Sequence, residues 1–354
     1  MHKHFFKIKN DIYITDILKI LKISNSFFLD SNKTLDALIL NTKVIDFVSF
    51  NNLKLNELSY FSNKNKINDN VILGICIVEK INFGLLNNDI IKIPFDNPRL
   101  AFSKVLDFYF NKYYIKNKKY KIHPNAIIDN TAIIGNNVNI GPFTLIEEGV
   151  VIEDDVYISE RVTISKDCKI GKQTFIGSNV FIECTFIGSH VIISPNTVIG
   201  KTGFGFTPNK SKTILTPHVG AVTIGNNTHI GSGCTIDRGI IDDTIICNFV
   251  MIDNQVHIGH NCFIDDYCIL SGQVGLSGSV KLYKGVTIGG DVSIKDNVSI
   301  GKNSIIAGAS KVFNSFPENS KIGGSPAQDI LNWKKLIVSQ RLSLKKRKKN
   351  ENGY

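Results

Sequence analysis

The chain has 354 residues, enough for two or three domains or for one repeat array with appendages. No run of about 18 uncharged apolar residues occurs, so no transmembrane helix is expected, and the start MHKHFFKIKN lacks the features of a secretory signal, which makes a cytoplasmic protein the expectation. The net charge of +10 would suit nucleic acid, anionic lipid or an acidic protein, but Lys is in excess everywhere, only SLKKRKKNENGY exceeds that background, and the seven cysteines, without a CxxC pair, read as reduced thiols.

Residues 1–118 show no repeat and read as a small α/β domain. Within them PRLAFSKVLDFYFNKYY, from Pro98, spaces its apolar residues as an amphipathic helix does.

From residue 119 a period of six takes over. Isoleucine occupies 122, 128, 134 and onward to 182, eleven positions in succession. The frame slips to Ile187, runs to Ile199, resumes at Ile224, slips again through Ile241 and Ile246, and then holds to Ile306. Two residues before each aliphatic stands a small or β-branched residue, such as Val150, Cys168, Val256, Cys262 or Cys268. Strand positions two apart share a face, so both point inward, while Gly, Asn or Asp fills the turns. The pattern predicts a mainly β fold, a left-handed parallel β-helix of triangular coils over 119–312. Such a stack needs caps, because its isoleucines are covered only by neighbouring coils.

The interruption from Lys201 to Val222 predicts a loop ejected at one corner, and long loops on rigid scaffolds commonly carry function. Its GKTG is not a phosphate-binding loop, since Pro195 stands where that motif requires glycine and no helix follows. Phe204 and Phe206 of GFGF either stack on a base or sugar or anchor their own loop.

The stretch DNQVHIGHN, Asp253 to Asn261, holds two of the eight histidines. On a helix His257 and His260 would share one face, as in many zinc enzymes. In the six-residue frame Val256 and Ile258 point inward, His257 and Gly259 face out, and His260 lies toward the next corner. A zinc site built by this pair alone is not expected. One assembled across subunits, as in the gamma carbonic anhydrases, would need further histidines, and none is expected to join this run of coils. The plain alternative is two hydrated surface histidines. Against it stands the density of hydrogen-bonding side chains, from Asp253, Asn254 and Gln255 to Asn261. A carboxylate near an imidazole fixes its tautomer and raises its basicity, as a general base requires. One coil later SGQVGLSGS offers unobstructed N–H groups for an oxyanion.

At the far end Leu331, Trp333, Leu336, Ile337 and Leu342 recur at helical spacing, which predicts a C-terminal helix within 313–354, ahead of the basic tail.

The run CTIDRGIIDDTIICNFVMIDNQVHIGHN, with GKTGFGF before it and SGQVGLSGSVKL, TIGGDVSI and GGSPAQDILNWKK after it, resembles the UDP-3-O-(3-hydroxyacyl)glucosamine N-acyltransferases of lipid A biosynthesis, and the resemblance covers nearly the whole chain. It implies a homotrimer with sites between adjacent solenoids, no metal or other cofactor, and no nucleic-acid partner. The implied reaction moves a 3-hydroxyacyl chain from an acyl carrier protein thioester to the 2-amino group of UDP-3-O-acylglucosamine. His260 would be the general base, Asp253 the acid that supports it and Gly278 the oxyanion donor, with His257 and Asn261 binding substrate. The family's later histidine is replaced here by Asp296 and Asn297, which leaves Asn297 as a hydrogen-bond donor to substrate. The uridine segment becomes SFNNLKL, in which Phe50 and Asn52 keep the stacking ring and the amide, so residues 1–118 would bind uridine. Acyl carrier proteins are acidic, and Lys345 to Lys349 would steer their docking. Two other readings stand beside this one. A UDP-N-acetylglucosamine O-acyltransferase is disfavoured by the separate N-terminal domain and the IDRG frame; a non-catalytic β-solenoid scaffold would not need His260.

Overall fold

The computed structural model describes residues 11–24, 38–62, 70–110, 121–208, 213–324 and 335–343. Its contacts divide the chain into two units, Met1–Lys118 and Lys119–Tyr354.

In the first unit ITDILKIL sets Ile14, Ile17, Leu18 and Leu21 along one stripe, and these are the buried residues of helix α1 (Ile14–Leu21). Asn97 opens helix α2 (Pro98–Phe110) by accepting the Leu100 N–H at 3.1 Å. Proline at the first helical position forfeits only a donor that would have no partner within the helix. Four parallel strands, Asp46–Phe47, Glu57–Tyr60, Gly74–Val78 and Ile90–Pro94, lie side by side in that order, with α2 packed on the middle pair.

The second unit is a mainly β solenoid, as the six-residue period predicts. Every third strand pairs in parallel, which makes three sheets of ten, nine and ten strands. They are termed here face I (Ile127–Ile128 to Lys311–Val312), face II (Ile133–Ile134 to Ser299–Ile300) and face III (Asn139–Ile140 to Lys321–Ile322). On face I, Ile146, Ile164, Ile182, Ile199, Ile236, Ile258 and Leu276 stack in register, coil upon coil. These aliphatics and the residues two before them, Cys168, Cys262 and Cys268 included, form one continuous core. Full burial of an isoleucine contributes about 1.5–3 kcal/mol, so repetition of one inward pair per side suffices to hold each coil. Burial pushes the thiols of Cys262 and Cys268 up to about 12, which fits inert core residues.

Turns between sides place a residue in the left-handed region, and Asn137, Asp155, Asn261 and Asn297 follow the expected residue types. Phe143, Arg161 and Tyr267 occupy the same position, where a β-carbon costs roughly 1–2 kcal/mol. The stacked coil above outweighs that local preference.

Two expectations are corrected. Ile241 is not an inward residue but 76% exposed, because Ile236 pairs with Ile258 and the residues between Arg238 and Thr244 bulge outward. The solenoid does not end at 312: Lys321–Ile322 still pairs with Ile305–Ile306. The expected C-terminal helix is present over 335–343, with Leu336 and Leu342 on it 45% and 55% exposed. Leu331, Trp333 and Lys345 to Lys349 lie outside the described residues.

Candidate active site

Departures from the hexapeptide frame gather at one corner, where face I turns into face II. The shortened turn at Glu183–Cys184, the loop between Thr202 and Val222, and the bulge between Arg238 and Thr244 all occur there. His260, Gly278 and Asn297 follow at the same corner in successive coils. Frame slips that weaken a sequence repeat therefore build a site.

The bulge fixes His260. Asn261 Oδ1 accepts the Ile240 N–H at 3.0 Å, and its Nδ2 donates to Asp242 O at 2.8 Å. These two backbone groups set which way the amide points, so the atom 3.0 Å from His260 Nδ1 is a carbonyl oxygen, which only accepts. Nδ1 must carry the proton, and Nε2 presents a lone pair. A β-carbon added at Gly278 would lie 2.6 Å from both Cε1 and Nε2 of His260, so only glycine fits beneath that edge of the ring.

Among the described residues no acceptor takes the Gly278 N–H. At the equivalent turn position elsewhere, the N–H groups of Asn136, Ser189 and Ser232 are each held at 2.7–2.8 Å by Oδ1 of Asp154, Asn226 and Asn254 in the next coil. The corner at Gly278 lacks that cap and keeps a donor free beside the Nε2 lone pair. His260 and Gly278 both line a cavity of about 740 Å³ that also reaches His257, Asp237, Phe204, Phe206 and Asn297. His257 faces out as expected, with Nδ1 2.8 Å from Thr235 Oγ1. Gly259, expected outside, is buried under the turn of the next coil. Asn297 donates from Nδ2 to Asp296 Oδ2 at 2.9 Å.

Three residues of the site were not found by sequence reasoning. Asp237, whose side chain is 13% exposed, lies 3.9 Å from His257 Nε2. Burial raises its carboxyl above the usual range, while the charges of His257, His260 and His218 act the other way. His218, 3% exposed at the end of the loop, meets the His260 ring edge to face at 5.2 Å. Its Nδ1 is 2.9 Å from Thr216 O, while Nε2 is buried without a hydrogen-bond partner among the described residues. Arg238 clamps both ends of the loop: Nε donates to His218 O at 2.8 Å, Nη1 to Gly200 O and Glu183 Oε1 at 3.0 Å, and Nη2 to Thr202 Oγ1 at 3.0 Å. The IDRG motif signals Asp237 and Arg238, but only the coil stacking reveals their neighbours.

Other expected site residues are placed elsewhere. Asp253 sits at the corner between faces III and I, accepts the Asn254 N–H at 2.7 Å and acts electrostatically on His229. Within one chain the acid gathered with His260 is Asp237, because a residue one repeat earlier stands at a different corner of the triangle. Phe50 is 4% exposed and packs on Phe61 with ring centroids 5.0 Å apart, so its ring belongs to the core and offers no open face for a base. Asn52 is exposed and donates to Ser49 Oγ at 3.0 Å. Among the described residues the group with three ligand atoms close enough for one ion is Cys247, Asp265 and Asp266, within 4.8 Å of one another. Those carboxylates accept the N–H groups of Asn248, Asp266 and Lys284 and so cap turns.

Comparison with known proteins agrees with this architecture. Residues 149–184 match the bacterial transferase hexapeptide (six repeats) family. A UDP-3-O-acylglucosamine N-acyltransferase from Rickettsia felis is 50% identical over 193 residues, 54% of this chain and 55% of the relative. One of the same name from Rickettsia conorii is 45% identical over 220 residues, 60% of this chain and 63% of the relative. The match thus spans less than two thirds of these relatives' length. The crystal structure of an Arabidopsis UDP-N-acetylglucosamine acyltransferase aligns with a TM-score of 0.50 at 25% identity, over 57% of this chain and 71% of that one. No helix among the described residues is long and apolar enough to cross a membrane. Over the matched stretches the chain is similar to the bacterial hexapeptide transferases, and the relatives compared carry the name UDP-3-O-acylglucosamine N-acyltransferase.

Proposed function

We propose that this protein transfers a 3-hydroxyacyl chain from an acyl carrier protein thioester to the 2-amino group of UDP-3-O-acylglucosamine. The observation that carries the reading is the pairing, across one cavity, of a histidine with a fixed Nε2 lone pair and a glycine N–H without an internal acceptor. The names of the homologues supply the substrate.

The chemistry follows from these two groups. As the amine nitrogen bonds to the thioester carbonyl carbon, its proton moves to His260 Nε2 and the carbonyl oxygen becomes an oxyanion. The Gly278 N–H donates to that oxygen; one such donor typically contributes 10²–10³-fold in rate. As the C–S bond breaks, the proton on Nε2 passes to the departing sulfur. A positioned base contributes about 10²–10⁴-fold. Phe204 and Phe206, whose rings meet edge to face at 4.9 Å and are 80% and 49% exposed, give the cavity an apolar flank suited to an acyl thioester. His257 and Asn297 line the same space and would hold the sugar and its substituents. Nucleotide sugars and carrier-protein thioesters are made in the cytoplasm, and the reading places the enzyme there.

A homotrimer belongs to the same proposal. Face III presents an outward ladder of Tyr157, Phe175, Ile192, Met251, Ile269 and Ile305 in paired strands, with the last four 43–52% exposed. The ladder is interrupted by His229 and Thr287, and an exposed, largely apolar strip of this kind is expected to be covered by another copy.

The likeness to the Arabidopsis UDP-N-acetylglucosamine acyltransferase favours a second reading, transfer to a hydroxyl. Offering the protein 3-hydroxyacyl carrier protein with either UDP-3-O-acylglucosamine or UDP-N-acetylglucosamine separates the two by mass spectrometry. An amide from the first acceptor alone is the expected result. An ester on the second would replace this reading, and no product from either would leave the scaffold.

A further inference from the structure

We propose that Asp237 is a positioning residue of this site, the buried counter-charge that lets His260 accept a proton, held in place by the loop that ends at His218. The proposal rests on the acyl-transfer reading above. His260 Nδ1 is committed to Asn261 Oδ1, a neutral amide that fixes the ring but adds no charge. Asp237 supplies the missing charge from the coil below, lining the same cavity.

The packing is close on every side. A β-carbon at Gly203 would lie 3.1 Å from His218 Nε2, 3.1 Å from His260 Cβ and 3.2 Å from Asp237 Cβ, so these side chains surround one point of the loop backbone. His257 approaches the carboxylate from the strand above, at 3.9 Å. The neighbouring Arg238 guanidinium is turned to Glu183, Gly200, Thr202 and the His218 carbonyl. Cys262 lies in the core beneath with its Sγ on Ser277 O at 3.2 Å, and Asp296 lines the cavity. The groups whose positive charge would act on Asp237 are therefore the imidazoles of His257, His260 and His218.

Burial opposes the ionised Asp237 carboxyl, while positive charge on a neighbouring imidazole favours it. During the reaction His260 gains the amine proton beside this carboxylate and returns it to the thiolate, which leaves both groups as they began. The charge acts through His260; it does not touch the reacting atoms.

The test uses the full chain with histidine labelled at ¹³Cε1, titrated by NMR without substrate, with His260→Gln to assign the resonance. In Asp237→Asn the His260 midpoint should move to lower pH by about half a unit or more, because a nearby negative charge has been removed. In the amide assay kcat should fall about 10-fold with KM within about two-fold, the acid limb of the pH profile should move with the midpoint, and Asp237→Glu should restore most of the rate. Asp237→Ser serves as a second neutral variant should Asp237→Asn not fold. An unchanged midpoint in a folded neutral variant overturns the proposal, as does a shift found in Asp253→Asn and absent from Asp237→Asn. A wild type that titrates as expected yet makes no amide refutes the acyl-transfer reading and leaves the role of Asp237 standing.

Discussion

Asn261 orients an imidazole by means of two backbone groups, and Gly278 leaves room for the edge that imidazole presents. A methyl group at Gly278 would sit 2.6 Å from Nε2 and must displace the ring, the glycine or both. Gly278→Ala should therefore lower the amide-forming rate by about 100-fold or more, since misplacement by about 1 Å can cost that much. Its melting temperature should stay near that of the wild type, and calorimetry beside the rate measurement checks both. His260, Gly278 and Asn261 were legible in the sequence because they lie in or beside one quoted run and its next coil. Asp237 and His218 were not, because coil stacking and a loop bring them to His260 across long stretches of chain. Asp253 stands at a different corner of its own chain from His260, because nearness along a triangular coil is not nearness in space.

At the scale of the element, the loop between Thr202 and Val222 is held to the corner by one side chain. Arg238 is 17% exposed and makes its ion pair to Glu183 together with hydrogen bonds at both loop ends. Removing the guanidinium takes the Arg238 counter-charge from Glu183 and the donors from both loop ends. Arg238→Gln is expected to leave the coils folded and to expose the loop, seen as faster proteolytic cleavage within 203–217 and slower amide formation. The coils themselves were legible from the isoleucine period, and a paired substitution tests that logic. Ile258→Ala should cost about 2–5 kcal/mol in denaturant unfolding, whereas Ile241→Ala should stay within about 0.5 kcal/mol. The sequence alone treats these two isoleucines alike. Only the bulge, formed because Ile236 must pair with Ile258, tells them apart.

For the whole molecule, the solenoid buries its inward pairs and leaves an apolar strip along face III. Light scattering on the purified protein should give the mass of a trimer, and Ile269→Asp, in the middle of that strip, should lower it toward the monomer while circular dichroism stays unchanged. The central claim concerns one ring. In single-turnover mixing of enzyme with 3-hydroxyacyl carrier protein and UDP-3-O-acylglucosamine, wild type should form the amide with a rate that rises as pH passes through the histidine range. His260→Gln should form it at least about 100-fold more slowly and lose that pH dependence. A His260→Gln variant that matches the wild-type rate would contradict the account.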